Sequence, residues 1–461
     1  MYENKKILIA GLGKSGTAVL SALSGSGAEL SIYDSRDIEW DEPGLYKSII
    51  DRRISAYLNG VEPPDIDWDM IIKSPGVPPD LPFIRRATDK GIRLTGDIEL
   101  AYEMDAGDFI AITGTNGKTT TTTLVGEIIR RAGLPGIITG NIGIPVMESV
   151  VSALGMGERP VFVTEISSFQ LDTISDFRPK ISAILNITPD HLDRHSTMED
   201  YATVKARIFK NQGEDDILVY NTDDPLVNQL VSGSKAWQFP FSAAKALTNG
   251  TYAENGMIKI RDEKTGICEE IIKCSELRIP GRHNLENALA AVAISHAYGI
   301  QADVIAESLR RFSGVEHRME LITIIDGVKY INDSKGTNPD ASSKAIEASE
   351  PGIFLIAGGF EKFADFKPFI GGFGDKVKSL LLIGETKQRF ADEAKTVGFN
   401  KIRICDDLDM CIRICREHAE PGDTVLLSPA SASWDMYKDF EERGNHFRRL
   451  VTDMERHGSS Y

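Results

Sequence analysis

Two glycine-rich turns, each lying between an apolar run and a helix-like segment, most constrain the fold of this chain. The first ends the run "KILIAG" at residues 6–11, and the second ends "FIAITG" at residues 109–114. A strand that ends in glycine and leads into a helix is the repeating unit of parallel α/β sheets. Similar runs, including "MIIKSPG", "VFVTEIS", "SLLLIG" and "TVLLSP", continue along the chain. The sequence therefore predicts an α/β protein built on parallel sheets.

The length of the chain predicts several domains. It has 461 residues, and roughly one domain per 150 residues predicts about three. New series of strand-and-turn units begin near residues 96 and 315, which predicts domains at 1–95, 96–314 and 315–461. We expect a Rossmann-like first domain, a central P-loop ATPase-like parallel sheet and a Rossmann-like third domain. Residues 236–277 are short, alternating and turn-rich, and we interpret them as a small antiparallel excursion within the middle domain.

Composition disfavours several classes of protein. Acidic residues outnumber basic ones by 68 to 52, giving a formal net charge of −16. Nucleic-acid-binding proteins normally carry a basic face, so we expect no nucleic-acid partner. No uncharged apolar run approaches the ~20 residues that span a bilayer, and no secretory signal is evident. The five cysteines form no C-x-x-C pair, which favours reduced, buried thiols. We expect a cytoplasmic monomer.

The first turn, "GLGKSG" from Gly11 to Gly16, has the G-x-G-x-x-G spacing of a dinucleotide-binding turn, and Asp34 ends the next strand. Glycines let the backbone approach a phosphate, and a helix N-terminus stabilises a pyrophosphate. UDP would fit as well as NAD, and a tight turn without a ligand also satisfies the pattern. From this motif alone, an NAD-dependent dehydrogenase remains a candidate.

The second turn, "GTNGKTT" from Gly114 to Thr120, departs from the common G-x-x-x-x-G-K-[ST] pattern because Ile112 stands where the first glycine belongs. It still offers backbone N–H groups, a lysine for the β- and γ-phosphates and a hydroxyl for Mg²⁺. This combination predicts a nucleoside triphosphate ligand. A glycine turn without that function stays open at this point.

Polar segments at later strand ends support a phosphate-handling site. They are "GNIG" at 140–143, "EISSFQL" at 165–171 and "NITPDHLDRH" at 186–195. Glu165 ends its strand where a metal-binding carboxylate would lie. His191 and His195 are four residues apart, but Leu192 replaces the glutamate of H-E-x-x-H, which disfavours zinc.

Together these motifs resemble the Mur ligase family, whose P-loop reads G-T-N-G-K-[ST]. The resemblance extends over nearly the whole chain and also includes "YDSR", "SPGVP", "NDSKGTNPDA" and "LSPASASWDMYKDFEERG". It implies an ATP-dependent ligase of peptidoglycan precursor synthesis. Such an enzyme would activate UDP-N-acetylmuramoyl-L-alanine as an acyl phosphate and join it to D-glutamate. A sister ligase that uses another amino acid is the alternative, and a noncatalytic nucleotide-binding regulator is a more distant one.

The resemblance also implies site residues for ATP and metal. The ATP-binding residues are Gly114, Thr115, Asn116, Gly117, Lys118, Thr119, Thr120, Asn284, Asn287 and Arg318. The implied catalytic residues are Lys118, Glu165, His191, Lys205, Asp333 and Lys335. Two Mg²⁺ ions would be held with Thr119, Glu165, His191 and a carbamate formed on Lys205.

The same resemblance implies contacts for the other two substrates. Those for the UDP-substrate are Ser15, Asp34, Arg36, Ser74, Asn141, Ser167 and His191. Those for D-glutamate are Lys335, Ser431 and Tyr437. We expect the segment Asp333-Ser334-Lys335 to be exposed at a strand end. Phe360 and Glu361, which precede Lys362, depart from the family pattern, so no contact is predicted for that loop.

Overall fold

The computed structural model describes residues 2–190, 192–195, 197–279, 281–361 and 364–457. The chain divides into two compact units, one of residues 1–277 with 285–310 and one of residues 278–284 with 311–461. Within the described ranges, no helix has both the length and the apolar composition needed to cross a membrane.

The first unit begins with a five-stranded parallel sheet in the order β3-β2-β1-β4-β5. Its strands are β1 (Lys6–Ala10), β2 (Glu29–Tyr33), β3 (Ser55–Tyr57), β4 (Met70–Lys73) and β5 (Arg93–Thr95). Its helices are α1 (Lys14–Leu23), α2 (Ile38–Asp41), α3 (Pro43–Asp51) and α4 (Pro82–Asp89), and α5 (Asp97–Glu103) follows the last strand. The predicted Rossmann-like sheet is confirmed, and the first glycine turn lies at the carboxyl end of β1.

A nine-stranded sheet follows in the same unit, in the order β14-β13-β12-β11-β10-β9-β6-β8-β7. Its strands are β6 (Asp108–Thr113), β7 (Gly136–Gly140), β8 (Val161–Glu165), β9 (Ile181–Ile184), β10 (Ile217–Asn221), β11 (Trp237–Ser242), β12 (Gly250–Glu254), β13 (Met257–Asp262) and β14 (Ile267–Lys273). Its helices are α6 (Lys118–Arg131), α7 (Val146–Met156), α8 (Ser168–Leu171), α9 (Leu192–His195), α10 (Met198–Ala206), α11 (Pro225–Val231), α12 (Arg282–Ala297) and α13 (Ala302–Arg311). The first three residues of α12 and the last residue of α13 belong to the second unit.

The antiparallel excursion expected at residues 236–277 is smaller than predicted. Strand β13 is antiparallel to both β12 and β14, but β11 runs parallel to β10. Phe239 and Phe241 of β11 are buried, so this strand extends the parallel core. Alternation of apolar residues indicates a strand and not its direction, which is why the sequence did not separate β11 from the hairpins.

The second unit contains a six-stranded sheet in the order β15-β16-β20-β17-β18-β19. Its strands are β15 (Glu320–Ile325), β16 (Val328–Asn332), β17 (Ile353–Ala357), β18 (Val377–Leu382), β19 (Ile402–Ile404) and β20 (Thr424–Leu427). Its helices are α14 (Pro339–Ala348), α15 (Lys367–Gly371), α16 (Lys387–Thr396), α17 (Leu408–His418) and α18 (Phe440–His457). Only β15 is antiparallel to its neighbour, so the predicted parallel α/β architecture is confirmed here too.

Apolar residues of the first unit form a core that joins its two sheets. Ile7 and Ile9 of β1, Ile98 of α5, and Phe109 and Phe162 of the larger sheet belong to one buried cluster. Helix α5 therefore packs in a core that the two sheets share. All five cysteines are free, and Cys405, Cys411 and Cys415 are buried as expected, whereas Cys268 is exposed.

Candidate active site

The central glycine turn joins β6 to α6, and α6 begins at Lys118. Gly117 has a φ of 83°, and a Cβ atom there would lie 2.2 Å from Oδ1 of Asn287, so only glycine fits without rearrangement. The Lys118 ammonium donates hydrogen bonds of 2.8 Å to the carbonyl oxygens of both Gly114 and Thr115. The lysine is thus folded over the turn, with its charge at the helix N-terminus where phosphates bind.

The segment after β9 supports this turn. The backbone N–H of Asn116 donates to Oδ1 of Asn186 at 2.8 Å, and the Asn186 amide donates back to the Asn116 carbonyl at 3.1 Å. The Thr115 hydroxyl donates to the carbonyl of Thr188 at 3.1 Å and accepts from its N–H at 3.0 Å. These side chains fix the shorter turn, while Thr119 and Thr120 lie buried in the first turn of α6.

Glu165 lies beside the turn because β8 pairs with β6, with Glu165 opposite Ile112. The side chain is buried, and its Oε1 accepts a 2.8 Å hydrogen bond from the amide of Asn141. Its Oε2 is buried and has no hydrogen-bond partner among the described residues. An unpartnered buried carboxylate oxygen is costly unless a cation or proton donor satisfies it, so this atom has the chemistry of a metal ligand.

Lys205 of α10 is almost fully buried, at 1% exposure, and donates a 2.9 Å hydrogen bond to the carbonyl of Gly114. Its Nζ also lies 4.6 Å from the centre of the Tyr201 ring. Burial, and then the nearby charge of Lys118, lower the pKa of Lys205 well below its ordinary value. A lowered pKa favours the neutral amine, which is the nucleophilic form.

His191, which the sequence placed at the metal and the UDP-substrate, lies outside the described residues. The other histidine of that motif, His195, is buried and shares a 2.9 Å hydrogen bond between its Nε2 and the Ser168 hydroxyl. Its ring also stacks on Phe169, with the ring centres 5.7 Å apart. His195 therefore has a packing role.

The first glycine turn is organised by Asp34. The carboxylate accepts a 2.7 Å hydrogen bond from the N–H of Leu12 and further bonds from the N–H and side chain of Arg36. Burial opposes ionisation of Asp34, but the hydrogen bonds from Arg36 and Leu12 outweigh it and hold the carboxyl pKa below its ordinary value. Arg36 is held in turn by Glu42 at 3.0 Å. The Ser74 hydroxyl donates to the Gly11 carbonyl at 2.7 Å.

A cleft of about 1000 Å³ opens at this turn. Its walls come from one side of α1, from α7 and from the segment that leads into α7. Lining residues include Leu12, Gly13, Lys14, Arg36, Gly143 and Glu148. The cleft therefore connects the first glycine turn with the "GNIG" segment, which carries Asn141. Later in the chain, Ser167 is the N-cap of α8 and forms a capping box with Gln170.

In the second unit, Asp333 follows β16 and is buried, as is Ser334, so the expectation that this segment is exposed was wrong for these two residues. Oδ2 of Asp333 accepts a 2.6 Å hydrogen bond from the Ser428 hydroxyl, and burial raises the pKa of this carboxyl to about 6. Lys335 is half-buried, with its Nζ 5.3 Å from the centre of the Phe440 ring. The strand end turns inward because its polar groups bond to the end of β20.

Arg443 joins this segment to the loop that carries Ser431. The guanidinium is 1% exposed and donates to the Ser334 carbonyl at 2.8 Å, and to the carbonyls of Ser431 and Ala432 at 3.2 Å. Tyr437 in the same loop has its hydroxyl 2.9 Å from Nδ1 of His446, and burial raises its pKa to about 12. The ring whose centre lies 5.3 Å from the Lys335 Nζ is that of Phe440.

The residues expected around adenine fall on different units. Asn287 lies in the first unit, where its Oδ1 is 3.4 Å from the Thr121 hydroxyl. Asn284 belongs to the second and is the third residue of α12, so the alternative interpretation of Asn284 as an ordinary N-cap was wrong. Arg318 is also in the second unit, and burial of His283, together with the charges of Arg318 and Lys344, lowers the pKa of His283 to about 4.

Comparison with known proteins assigns this chain to a family. Models of the "Mur ligase MurD-like, N-terminal domain", the "Mur ligase middle domain" and the "Mur ligase, glutamate ligase domain" match residues 5–96, 112–295 and 317–431. The chain belongs to the Mur ligase family.

Relatives of this Mur ligase match end to end. It is 46% identical to the UDP-N-acetylmuramoylalanine–D-glutamate ligase of Thermoanaerobacter pseudethanolicus over 98% of this chain and 99% of the relative. It is 44% identical to the protein of the same name from Clostridioides difficile, with the same coverage. Among solved structures, the MurF ligase of Thermotoga maritima in complex with ADP has a TM-score of 0.59 at 17% identity, covering 98% of this chain and 96% of that one. That likeness supports the fold.

Three positions of this Mur ligase escaped the sequence interpretation. Asn186 supports the central turn, Phe440 lies beside Lys335, and Arg443 joins the two loops of the second unit. Arg443 and Phe440 lie in the run "DFEERG", where alternation with acidic residues is typical of a solvated helix. Asn186 could have been identified from the sequence, because it is an amide just after the end of β9, the strand that pairs with β6.

Proposed function

We propose that this Mur ligase uses ATP to join the carboxylate of UDP-N-acetylmuramoyl-L-alanine to the amine of D-glutamate, in the cytoplasmic synthesis of peptidoglycan precursors. The observation that carries the proposal is the 46% identity, along nearly the full length of both chains, to a ligase of that name. A dehydrogenase is not favoured, because it would leave the central turn and Glu165 without a role.

The cleft at the first glycine turn is the proposed site of the UDP-substrate. The backbone and Ser15 would hold the diphosphate at the N-terminus of α1. Asp34 and Arg36 would bind the uracil side, and Ser74 supports the turn through Gly11. Asn141, Ser167 and His191 would lie along the path to the reacting carboxylate.

ATP would bind the central turn, with its γ-phosphate at Lys118 and its adenine near Asn284, Asn287 and Arg318. Mg²⁺ fits the residues present, because Glu165 has an unpartnered oxygen and Thr119 offers a hydroxyl at the helix start. The described residues contain no cluster of three or more histidine, cysteine, aspartate or glutamate side chains, so water and phosphate oxygens would complete the coordination. Bound there, Mg²⁺ would neutralise phosphate charge.

The proposed reaction has two steps. A carboxylate oxygen of the UDP-substrate attacks the γ-phosphorus, the bond to the β-phosphate oxygen breaks, and ADP leaves. The free amine of D-glutamate then attacks the acyl carbon, phosphate leaves, and the nitrogen loses a proton as the amide forms. Lys118 would stabilise charge on the transferring phosphoryl group.

Lys205 is proposed to carry a carbamate that helps hold the second Mg²⁺. Carbamate formation needs the neutral amine, and burial beside Lys118 lowers the pKa of Lys205. The neutral amine adds to carbon dioxide and loses a proton, so the side chain becomes an anion that attracts Lys118 instead of repelling it.

In the second unit, Lys335 is the proposed partner of a D-glutamate carboxylate, with Ser431 and Tyr437 nearby in sequence. Asp333 would hold the Lys335 segment in place through Ser428. Ser431 contributes its carbonyl to Arg443, so its N–H and hydroxyl are the groups proposed to face the amino acid.

The product tests the proposal. The protein is incubated with ATP, Mg²⁺, UDP-N-acetylmuramoyl-L-alanine and one amino acid, and the UDP-linked product is identified by mass spectrometry. We expect the D-glutamyl amide. A product formed only with another amino acid would instead establish a sister ligase, and no product with any would contradict the ligase assignment.

A further inference from the structure

The cleft at the first glycine turn contains an ion pair whose acidic member lies outside the sequence motifs. Arg36 and Glu42 both line the cleft, and Nη1 of Arg36 donates a 3.0 Å hydrogen bond to Oε1 of Glu42. Their side chains are 43% and 41% exposed, whereas that of Asp34 is 6% exposed and is not among the lining residues. The carboxylate beside Arg36 that a ligand in the cleft can reach is therefore that of Glu42.

The carboxylate of Asp34 is occupied by the turn itself. Its Oδ1 accepts hydrogen bonds from the backbone N–H of Arg36 at 2.9 Å and from Nε of Arg36 at 3.2 Å. Its Oδ2 accepts from the N–H of Leu12 at 2.7 Å and from Nη2 of Arg36 at 3.2 Å. Each carboxylate oxygen has two lone pairs, so both are used on each atom. Asp34 therefore acts on a bound base through Arg36.

Arg36 and Glu42 keep one donor and one acceptor side by side. Nε and Nη2 of Arg36 are committed to Asp34, and Nη2 also donates to the Leu12 carbonyl at 3.1 Å. Nη1 carries two N–H groups, and one of them goes to Glu42. Oε2 of Glu42 accepts no hydrogen bond from the described part of the chain. The pair thus offers an N–H next to a carboxylate oxygen.

The backbone around Glu42 directs its side chain away from helix capping. Glu42 is the N-cap of α3, with Pro43 at the first helical position, and its side chain makes no capping hydrogen bond. Shorter polar side chains are preferred at an N-cap, so a glutamate there breaks the local rule. Ile38 of α2 and Ile49 of α3 are fully buried and anchor both helices. The side chain is therefore held towards Arg36 and not towards its own helix.

Uracil has an edge that matches this pair. Its N3–H is a donor and the adjacent O4 is an acceptor, whereas cytosine has an acceptor at N3 and an amino group at C4. With the diphosphate at the start of α1 and the reacting end towards Asn141, the base is left for the part of the cleft that Arg36 and Glu42 line. A carboxylate facing N3 of cytosine would bring two acceptors together, which disfavours that base.

We propose that Glu42 is a specificity-determining residue that accepts a hydrogen bond from N3–H of uracil, while Nη1 of Arg36 donates to O4. This inference rests on the proposed function for the placement of the nucleotide in the cleft. The ligand class is a uridine diphosphate, and the class that the pair rejects is a cytidine diphosphate.

The test compares the affinities of the full-length protein for UDP and for CDP, measured by calorimetry. We expect the wild type to favour UDP by at least about tenfold, as for one hydrogen bond to a charged group. Glu42→Gln should lose about tenfold in UDP affinity. It should also gain CDP affinity, because a glutamine amide can donate to N3 of cytosine. Glu42→Ala should lose UDP affinity without gaining CDP affinity.

A matched control separates base recognition from an ordinary surface ion pair. Glu62 pairs with Arg86 at 2.8 Å, is 46% exposed and is not among the residues that line the cleft. Glu62→Gln should leave the ratio of UDP to CDP affinity unchanged, and both glutamine variants should keep the wild-type melting temperature. An unchanged ratio in Glu42→Gln, or an equal loss for both nucleotides, would overturn the proposal. A protein that discriminates in this way without ligating D-glutamate would overturn only the proposed function.

Discussion

Lys118 and Lys205 donate hydrogen bonds to one acceptor, the carbonyl oxygen of Gly114, at 2.8 and 2.9 Å. Two ammonium groups at one neutral oxygen repel each other, and burial together with the charge of Lys118 lowers the pKa of Lys205 well below its ordinary value. This relationship connects the phosphate-binding turn with the chemistry proposed for Lys205.

Removal of carbon dioxide and bicarbonate is therefore predicted to lower the ligase rate. The carbamate on Lys205 would be lost, and added bicarbonate should restore the rate over time. Labelled bicarbonate should give a carbamate signal by ¹³C NMR in the wild type. Lys205→Arg keeps the charge and cannot form the carbamate, so it should lack both the signal and the recovery. A rate insensitive to bicarbonate would argue against the modification.

Lys118→Ala is predicted to reduce phosphate release from ATP by about 10²–10³-fold, the usual effect of losing one group that stabilises transition-state charge. Binding of the UDP-substrate, measured by calorimetry, should change little, because its proposed cleft lies at the other glycine turn. Lys14→Ala is the matched comparison, since Lys14 begins α1 just as Lys118 begins α6, and its effect should fall on UDP-substrate binding because Lys14 lines that cleft. Loss of UDP-substrate binding in Lys118→Ala would indicate damage to the fold.

Asp333 is predicted to set the acid limb of the pH profile for D-glutamate. Burial raises its pKa to about 6, so the carboxylate becomes protonated as the pH falls through that value. The kcat/KM for D-glutamate should fall with it, since the protonated group no longer pairs with Ser428 as an anion. Asp333→Asn should have a low rate without this limb. Persistence of the limb in that variant would assign it to another group.

Lys73 is predicted to make stability depend on alkaline pH. It is 1% exposed, and burial lowers its pKa from 10.5 to about 8. Between these values the unfolded chain binds the proton and the folded chain does not, so the free energy of unfolding should rise with pH through that window. At about 1.36 kcal/mol per pKa unit, the full effect is about 3 kcal/mol. Denaturant unfolding at pH 8 and pH 10 should show this rise in the wild type and not in Lys73→Met.

Much of the fold could be predicted from strand ends alone. "KILIAG", "FIAITG" and "TVLLSP" are apolar runs closed by turn residues, and each forms a strand of a parallel sheet. The direction of β11 could not be predicted, because Phe239 and Phe241 would be buried by either pairing. Local pattern fixes the presence of a strand, whereas its partner depends on contacts distant in sequence.

Residues of the candidate site could be predicted where the residue type, and its place at a turn or a strand end, are enough to indicate its chemistry. Lys118 and Glu165 follow this rule, since a glycine turn and a strand end place them without further information. The burial of Asp333 was not predictable, because it depends on Ser428, which is distant in sequence.

Phosphate release from ATP, measured with UDP-N-acetylmuramoyl-L-alanine and a panel of D-glutamate, L-glutamate, L-alanine and a diamino acid, tests the central claim most directly. We predict that D-glutamate stimulates release well above every other member of the panel, and that omission of the UDP-substrate abolishes the stimulation. Equal release with all amino acids, or release that does not depend on the UDP-substrate, would contradict the assignment.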